Sequence, residues 1–421
     1  MIYVIALLLL GFLCKSIYSD GMNPGSFMSF LWSFVLFIYG LHLIPLDQIS
    51  RITYYVIVYG VLFFSFGCIC CKPLLKPTAA NGIINAPHSN QPTSFSFEIN
   101  YKVLIAFQII SILMFLPEVL NTRKMFSEGY EFSYLRSNQI SVVSNALITL
   151  PRNYIFRPFV VYLVYPITML CLLSNEKFTQ KKYLVIFLSL LVVYVNIMSM
   201  GGRAPLVYSI IFYVVISKLL NQKILKNKYL IFGASLFVIA DIIFFTVISS
   251  SRGIEDLRES NVMYIAGCVA LLDYYLKGIL PYTHGGAFIY GFSLFIFTML
   301  ENIGIDTPDS FLFVSQELYV EDIKCVGVDL YMNAFVSWFF YLFKDGGFFA
   351  LAIESFIYGL VSGLAYVSYR NNTNDPRKIV FYSMIVFTIV FSFVRFQFTQ
   401  HYLILALLFI PFFFKKKLNH D

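Results

Sequence analysis

Long apolar runs separated by short polar breaks extend along the whole sequence. Most runs have about 14 to 23 residues, close to the roughly 20 residues that cross the hydrocarbon core of a bilayer as a helix. They lack the period-two alternation of strands in a membrane barrel, and only helices and closed barrels satisfy their backbone groups in lipid. The pattern therefore predicts an all-α polytopic membrane protein.

The polar breaks divide the chain into eleven predicted transmembrane helices. These cover about 1–14, 26–45, 52–71, 103–120, 155–173, 183–200, 204–220, 229–250, 347–369, 379–396 and 402–414. No small-residue cleavage site follows the first run, so we interpret it as a retained span and not as a signal peptide. Two further apolar stretches, 285–300 and 329–343, are predicted to lie in the membrane interface or to re-enter the membrane.

Basic residues in the short loops predict the orientation, because such loops stay on the cytoplasmic side. The loops at 177–182, 223–228 and 370–378 and the C-terminal tail are basic, and all four fall on one face. The C-terminus is therefore expected inside and, with an odd number of spans, the N-terminus outside. Segments 121–154 and 251–346 become the two long external loops, and the second is expected to lie against the membrane.

This threading divides the chain into three predicted segments. Residues 1–250 carry the first eight helices together with the external loop 121–154. Residues 251–346 form a large external loop. Residues 347–421 carry the last three helices and a basic cytoplasmic tail. The expected location is a membrane, crossed many times.

Composition narrows the possible functions. Hydrophobic residues make up 59% of the chain and charged residues only 13%, against about 25% charged in soluble domains, which excludes a soluble fold. The net charge of +7 therefore concerns orientation and anionic ligands, and no nucleic-acid partner is expected. The five histidines lack metal-ligand spacing and no Gly-rich nucleotide loop occurs, so neither a metal nor another cofactor is expected.

Arginine is distributed differently from lysine. Nine of the eleven arginines fall outside or near the outer ends of spans, although insertion normally keeps that side poor in positive charge. They are Arg51, Arg123, Arg136, Arg152, Arg157, Arg203, Arg252, Arg258 and Arg395. The planar arginine fork matches phosphate and carboxylate groups bidentately. The pattern predicts an external site for a phosphate-bearing anion, although some of these side chains could simply extend to lipid headgroups.

Several short segments carry candidate site residues. Gly201, Gly202 and Arg203 form a tight external turn whose backbone could approach a ligand, or simply a helix-hairpin turn. Arg252, Asp256 and Arg258 follow the eighth span as a charged cluster or a solvated first turn.

Other candidates lie later in the chain and inside the predicted spans. His284 stands in a turn at 281–286, where a neutral imidazole could accept a hydroxyl proton or serve a structural role. Asp241 and Glu354 fall inside predicted spans, where an ionisable group is a functional candidate or is paired with a neighbour. Cys268 and Cys325 share the external loop, which leaves a disulfide between them open.

The order of these motifs is similar to that of a known family. Gly201-Gly202-Arg203 opens an external turn and a long external loop follows; Asn333-Ala334-Phe335 and Tyr341-x3-Asp345-Gly346-Gly347 then lead into a span that contains Gly359 and Gly363. In this architecture the chain resembles bacterial Wzy-type O-antigen polymerases. The resemblance implies an inner-membrane glycosyltransferase of lipopolysaccharide biosynthesis. Its substrates are polyprenyl-diphosphate-linked oligosaccharide repeat units, and a chain-length regulator and a flippase are its expected partners.

The resemblance also suggests a role for each candidate. Diphosphate binding is expected from Arg203, Arg252, Arg258, Arg395, Gly201 and Gly202, and either His284 or Asp256 is the expected general base. The aromatics Tyr282, Tyr290, Trp338 and Tyr341 would stack sugars or anchor the loop at the interface. Two alternatives remain: an O-antigen ligase, and a flippase or transporter that uses Asp241 and Glu354.

Overall fold

The computed structural model describes residues 1–76, 95–129, 151–174, 179–200, 204–220, 257–320, 322–333 and 335–417. Of these described residues, 76% are helical. By length and composition, six helices in these ranges could cross a membrane: Arg51–Leu74, Tyr101–Met125, Arg152–Leu173, Gln180–Ser199, Ser337–Asn371 and Pro376–Phe393. Shorter apolar helices are Ile2–Tyr18, Pro24–Gly40, Val207–Leu219 and His401–Phe413. This agrees with the helical membrane class that the sequence predicts.

We number the elements of the described ranges in chain order. The α-helices are α1 Ile2–Tyr18, α2 Pro24–Gly40, α3 Arg51–Cys70, α4 Tyr101–Ser127, α5 Val164–Leu173, α6 Gln180–Met200, α7 Ala204–Leu219, α8 Leu257–Lys277, α9 Tyr290–Asn302, α10 Asp309–Glu317, α11 Ser337–Asn371, α12 Pro376–Val390 and α13 His401–Phe409. The strands are β1 Phe97–Ile99, β2 Lys324–Gly327, β3 Leu330–Met332 and β4 Phe414–Lys416. Strand β1 pairs with β4 and β2 with β3, both antiparallel.

Helices occupy most of each predicted span that the structure describes, although 41–45 and 394–396 are not helical. The predicted span at 229–250 lies outside the described residues, as does most of the loop 121–154. The apolar stretch at 285–300 overlaps α9, a 13-residue helix in which only Gly291 is buried. At about 1.5 Å per residue such a helix is shorter than the hydrocarbon core.

The chain divides into two compact units. Unit 1 consists of Met1–Ser89, Asp256–Asn372 and Ile385–His401, and unit 2 of Asn90–Glu255, Thr373–Met384 and Tyr402–Asp421. The chain passes from one unit to the other several times. The units therefore do not follow the three segments that the threading predicts along the chain, because helices that are distant in sequence pack together.

Unit 1 contains a helix that folds back on itself. Within α11, Gly346 and Gly347 leave the helical conformation, and Gly347 has a φ of 64°, which favours glycine. The rings of Trp338 and Tyr358 lie 5.3 Å apart, whereas a continuous helix would separate two residues that are twenty positions apart by about 30 Å. Residues 337–345 therefore return along residues 348–371.

The returning arm 337–345 lies inside unit 1, and every one of its residues is buried. The Trp338 ring packs edge-on to Phe64 of α3, and Phe339 packs against Trp32 of α2. The arm is therefore in contact with other parts of unit 1 on all sides. The arm packs here because it is aromatic on all sides and therefore needs partners all around.

Helices α3 and α11 approach each other at glycine residues. A Cβ atom added to Gly67 or to Gly359 would collide with the backbone of the other helix. The Cys68 thiol donates to the carbonyl oxygen of Gly359 at 3.2 Å. Small residues at such a crossing allow backbones to touch, which is the usual basis of helix association in membranes. This contact fixes α11 and thus the position of its fold-back.

Unit 2 joins its helices by polar contacts. Gln108 of α4 donates to the Ser189 hydroxyl of α6 at 2.7 Å, and the Thr168 hydroxyl of α5 lies 2.6 Å from that same oxygen. Helix α5 is preceded by two π-helical stretches, Arg152–Phe156 and Phe159–Leu163. Such stretches are rare and frequently occur at functional sites.

Candidate functional sites

The structure describes the side chains of three of the predicted site residues, namely Tyr282, His284 and Arg395. Outside the described residues lie Gly201, Gly202, Arg203, Arg252 and Asp256, together with Asp241. Arg258 belongs to α8, but its side chain also lies outside the described part. The roles of these residues therefore stay predictions, and the site is built from other side chains.

Tyr282 and His284 lie on a loop of unit 1, residues 279–288, which we call the His284 loop. His284 is exposed and has a φ of 50°, and Gly285 follows with a φ of 88°. Left-handed backbone is uncommon for a residue with a side chain and costs about 1 to 2 kcal/mol. The surrounding contacts must therefore hold this turn in place.

Asp345 supplies those contacts from the end of the buried arm. Its side chain accepts a hydrogen bond from the Thr283 hydroxyl and one from the Ala287 backbone N–H, at 2.8 Å, both on Oδ1. Its Oδ2 accepts from the Phe288 backbone N–H at 2.8 Å. Asp345 is only 2% exposed. Two segments that the sequence singles out separately, 281–286 and 341–347, are thus joined by one carboxyl group.

Lys344 adds a second set of contacts beside Asp345. Its Nζ lies 2.7 Å from the Glu317 carboxylate of α10 and donates to the carbonyl oxygen of Ile279 at 2.7 Å. Its own carbonyl oxygen accepts from the Thr283 backbone N–H at 2.9 Å. Residues next to the break in α11 therefore bind both the His284 loop and α10.

In unit 1, Arg395 lies beside Ser337, at the opposite end of the buried arm from Asp345. Its backbone bridges that of Ser337, where the buried arm begins. The next residue, Phe396, stacks on Phe288 of the His284 loop, with 5.6 Å between the ring centres. The structure therefore brings the segment of Arg395 next to the His284 loop.

The predicted sugar-stacking aromatics have different surroundings. Trp338 and Tyr341 are buried in the arm, so they pack the interior, and the expectation that they stack sugars is wrong. Tyr290 is partly buried, stacks on Phe311 and lies 3.0 Å from the Ser315 hydroxyl. The first two were misplaced because their segment looks like an external loop in the sequence.

Glu354 is a buried acid in the long arm of α11. It is 7% exposed, and within the described residues its Oε2 has no hydrogen-bond partner. It lies close enough to Asp345 for the two carboxyl groups to interact electrostatically. An acid in such an environment is costly, so it is either functional or held by a neighbour.

Unit 2 contains a cluster of two arginines around one acid, which we call the arginine cluster. The Glu118 Oε1 lies 3.2 Å from Nη1 of Arg152 and 3.1 Å from Nη2 of Arg157, and Nη2 of Arg157 also donates to Oε2 at 3.3 Å. The side chains of Arg152, Arg157 and Glu118 are 10%, 18% and 22% exposed, respectively. The cluster is therefore mostly withdrawn from water but still reachable.

The arginine cluster has more positive than negative charge. Among the described residues, neither guanidinium contacts a second carboxylate, and the Nε–H groups of both Arg152 and Arg157 are buried without a hydrogen-bond partner. The ring of Phe115 packs under Arg157, 5.1 Å from its Cζ, and Tyr402 is close enough to interact electrostatically with both arginines. Two guanidinium groups that share one carboxylate favour the approach of another anion.

Arg152 and Arg157 are among the external arginines predicted from the sequence, whereas Glu118 is not among the residues that the sequence singles out. The available signal was an acid placed directly after Pro117, near the outer end of a predicted span. An ionisable residue there calls for a partner. Its partners could not be named, because α4 and the π-helical stretch meet only in the folded protein.

Among the described residues, no group of three or more His, Cys, Asp or Glu side chains could hold a metal ion. Cys268 and Cys325 are free thiols, so the disulfide left open by the sequence does not form.

No family model, curated protein or solved structure matches the chain. The fold and the sites thus define a class, a helical membrane protein with a partly exposed arginine cluster.

Proposed function

We propose that this protein polymerises polyprenyl-diphosphate-linked oligosaccharide repeat units into O-antigen or a related surface polysaccharide at the periplasmic face of the inner membrane. The observation that supports the proposal most strongly is the arginine cluster, in which Arg152 and Arg157 share the single carboxylate of Glu118. On the predicted threading, this cluster lies at the outer ends of its helices, where a lipid-borne diphosphate would be located.

Arginine chemistry suits the transfer step. The acceptor hydroxyl attacks the anomeric carbon of the growing chain, and the bond from that carbon to the diphosphate oxygen breaks. The diphosphate leaves with the electron pair, and the hydroxyl proton passes to a base. Guanidinium groups that are already in place when this charge develops lower the barrier without a nucleotide. Arg203 and Arg252, which the sequence predicts for the same role, lie outside the described residues.

The acceptor hydroxyl needs a group that takes its proton. His284 is exposed on a loop that is firmly hydrogen-bonded, and a neutral imidazole can accept a proton at that position. Asp256 is the other base that the sequence predicts. His284 and Asp256 are therefore the two candidate bases.

Substitution of the arginine cluster tests the proposal. We expect Arg152→Ala and Arg157→Ala each to lower turnover about 100-fold or more, the scale of a lost transition-state donor. Arg152→Lys and Arg157→Lys should fall between wild type and alanine, because lysine keeps the charge but loses the bidentate fork. The measurement is the ladder of glycan lengths made from purified lipid-linked repeat units at matched membrane abundance.

The matched control is Arg377→Ala, which removes an arginine paired with Asp375 outside the arginine cluster. It should leave the ladder nearly intact. Full-length polymer from both cluster alanine variants would refute the assignment of the diphosphate to this cluster. The same assay applied to Arg203→Ala and Arg252→Ala tests the arginines that the sequence predicts. Transfer of glycan to a different lipid in place of a second repeat unit would identify a ligase.

Glu354 favours one competing function, a flippase or transporter that couples to protons through a buried acid. A neutral amide keeps much of the hydrogen bonding of the acid but cannot carry a proton through the membrane. Under polymerisation, Glu354→Gln should therefore retain substantial polymer synthesis. Loss of activity at normal protein levels, together with sensitivity to collapse of the proton gradient, would favour the transporter.

A further inference from the structure

We propose that Asp345 is a positioning residue that fixes His284 by clamping the His284 loop on both sides. The inference rests on the proposed function, in which His284 accepts the proton of the acceptor hydroxyl. Asp345 does not touch the substrate in this role. It acts through the loop, which it holds from inside unit 1.

The hydrogen bonds of Asp345 flank His284 along the chain. The Thr283 hydroxyl binds from the position before His284, and the Ala287 and Phe288 N–H groups bind from the positions after it. An ionised carboxylate only accepts hydrogen bonds, and all three partners are donors. Both oxygens of one side chain therefore fix the two ends of a short turn.

The turn needs such a clamp because its backbone is strained. His284 and Gly285 are consecutive left-handed residues, with φ values of 50° and 88°. A free loop would relax His284 toward the right-handed or extended regions, which would turn the imidazole away. Holding Thr283 and Ala287 at fixed points removes that freedom.

Asp345 is itself held rigidly, as a positioning residue must be. It lies in the buried arm 337–345 and directly precedes the break at Gly346 and Gly347. Its neighbour Lys344 is anchored by Glu317 and by the carbonyl oxygen of Ile279. The clamp thus connects an exposed imidazole to the interior of the fold.

Asp345 also stabilises the start of α9. Ala287 and Phe288 come just before Tyr290, where α9 begins, and helix N-termini favour a nearby negative charge. Neutralising Asp345 would weaken both contacts at once. Asp273 provides the comparison, since it is an equally buried acid of unit 1 whose described contacts go to Ser50, Thr53 and Lys277.

The experiment compares Asp345→Asn with Asp273→Asn, which removes the charge of another buried acid of unit 1. We expect Asp345→Asn to lower kcat about 10- to 100-fold with little change in KM, the scale of a catalytic group misplaced by about 1 Å. Hydrogen exchange of the backbone amides in 283–290 should become faster. Asp273→Asn should leave both measurements close to wild type. Thr283→Val, which removes one hydrogen-bond donor to Asp345, should give a smaller change in the same direction. This variant replaces Asp345→Asn in the test if Asp345→Asn does not fold.

A double variant separates positioning from a general loss of structure. If Asp345 acts through His284, adding Asp345→Asn to His284→Ala should lower kcat no further than His284→Ala alone. Additive losses would overturn the proposal, as would unchanged exchange in 283–290 for both Asp345→Asn and Thr283→Val. Wild-type turnover from His284→Ala would also overturn it, and would leave the arginine test of the proposed function standing. A wild-type protein that makes no polymer would refute the proposed function, even if the exchange data show the clamp.

Discussion

Two acids, the partly buried Glu118 and the buried Asp273, show how differently a carboxylate can be used. Oδ1 of Asp273 accepts from the Ser50 N–H at 2.7 Å and from the Thr53 hydroxyl at 2.5 Å, and Oδ2 lies 2.9 Å from Nζ of Lys277. Asp273 is thus satisfied by its partners and stabilises the start of α3. Glu118, by contrast, neutralises only one of its two arginines, and the remaining positive charge favours the approach of another anion.

The Asp273 contacts predict a pH dependence of stability. Burial raises the pKa of Asp273, but hydrogen bonds from Ser50, Thr53 and Lys277 outweigh it and lower the pKa to about 2. Since the folded pKa lies below the unfolded value of about 4, this stabilisation is present above pH 4 and is lost as the pH falls toward 2. We expect Asp273→Ala to reduce the unfolding free energy by on the order of 2 kcal/mol at pH 7.

The measurement is the unfolding midpoint in detergent from pH 7 to pH 3, for wild type and for Asp273→Ala. The difference between the two should shrink at the acidic end. Asp306→Ala, which removes an exposed acid of the same predicted external loop, is the control and should leave the midpoint near wild type. A constant difference over the whole range would contradict the role given to Asp273.

Among the elements, α11 organises unit 1. Its long arm touches α3 through backbone at Gly359 and Gly67, and its short arm carries Asp345 to the His284 loop. The two arms have different roles: the long arm fixes α11 against α3, and the short arm reaches the His284 loop. The position of the clamp therefore depends on a helix contact far from it.

Gly359 provides the test of that contact. A methyl group at Gly359 would collide with the backbone of Phe64, so Gly359→Ala should lower the unfolding free energy by about 1 to 3 kcal/mol or more. Gly40→Ala is the matched control, because an added Cβ there has nothing within 4 Å. Thermal unfolding in detergent measures both variants. Equal midpoints for Gly359→Ala and Gly40→Ala would argue against the close approach of α3 and α11.

How far the sequence could predict these elements depends on whether the position of a residue is set by its own segment or by contacts with distant parts of the chain. Apolar runs predict helices well, because burial in lipid acts on each run separately. The same rule leaves most of 337–345 in the stretch 329–343, which is expected in the interface or re-entering the membrane, but it cannot identify partners in α2 and α3 that are distant in sequence. The contact of Asp345 with Ala287 links residues 58 positions apart. No local pattern records such a contact.

For the whole molecule, the prediction that matters most is the orientation. It rests on basic residues in short loops, and the assignment of an external arginine cluster depends on it. The fold adds that helices distant in sequence form two units, each of which contains one candidate site. If the orientation were reversed, both sites would face the cytoplasm and the proposed reaction could not occur there.

Single cysteines test the orientation in a background without native cysteine. A cysteine near Asn90, Asn221 or Asn372 should be protected from an impermeant thiol reagent added outside intact cells. One near Asn261 or Pro308 should react, because these positions fall in the predicted external loop. Permeabilised cells, in which all five should react, provide the control. Labelling at 221 or 372 in intact cells would remove the basis for an external site.

The fold-back in α11 also bears on how the protein is made. Nine helical residues rise about 13 Å, less than half of the hydrocarbon thickness, so insertion machinery cannot hold 337–345 as a span. The arm runs back along residues 348–371, which are synthesised after it. We therefore expect residues 337–345 to remain outside the membrane until residues 348–371, which follow them in the chain, have been inserted. Assembly of the candidate site in unit 1 is then a late event in biosynthesis, and an interrupted chain would lack it.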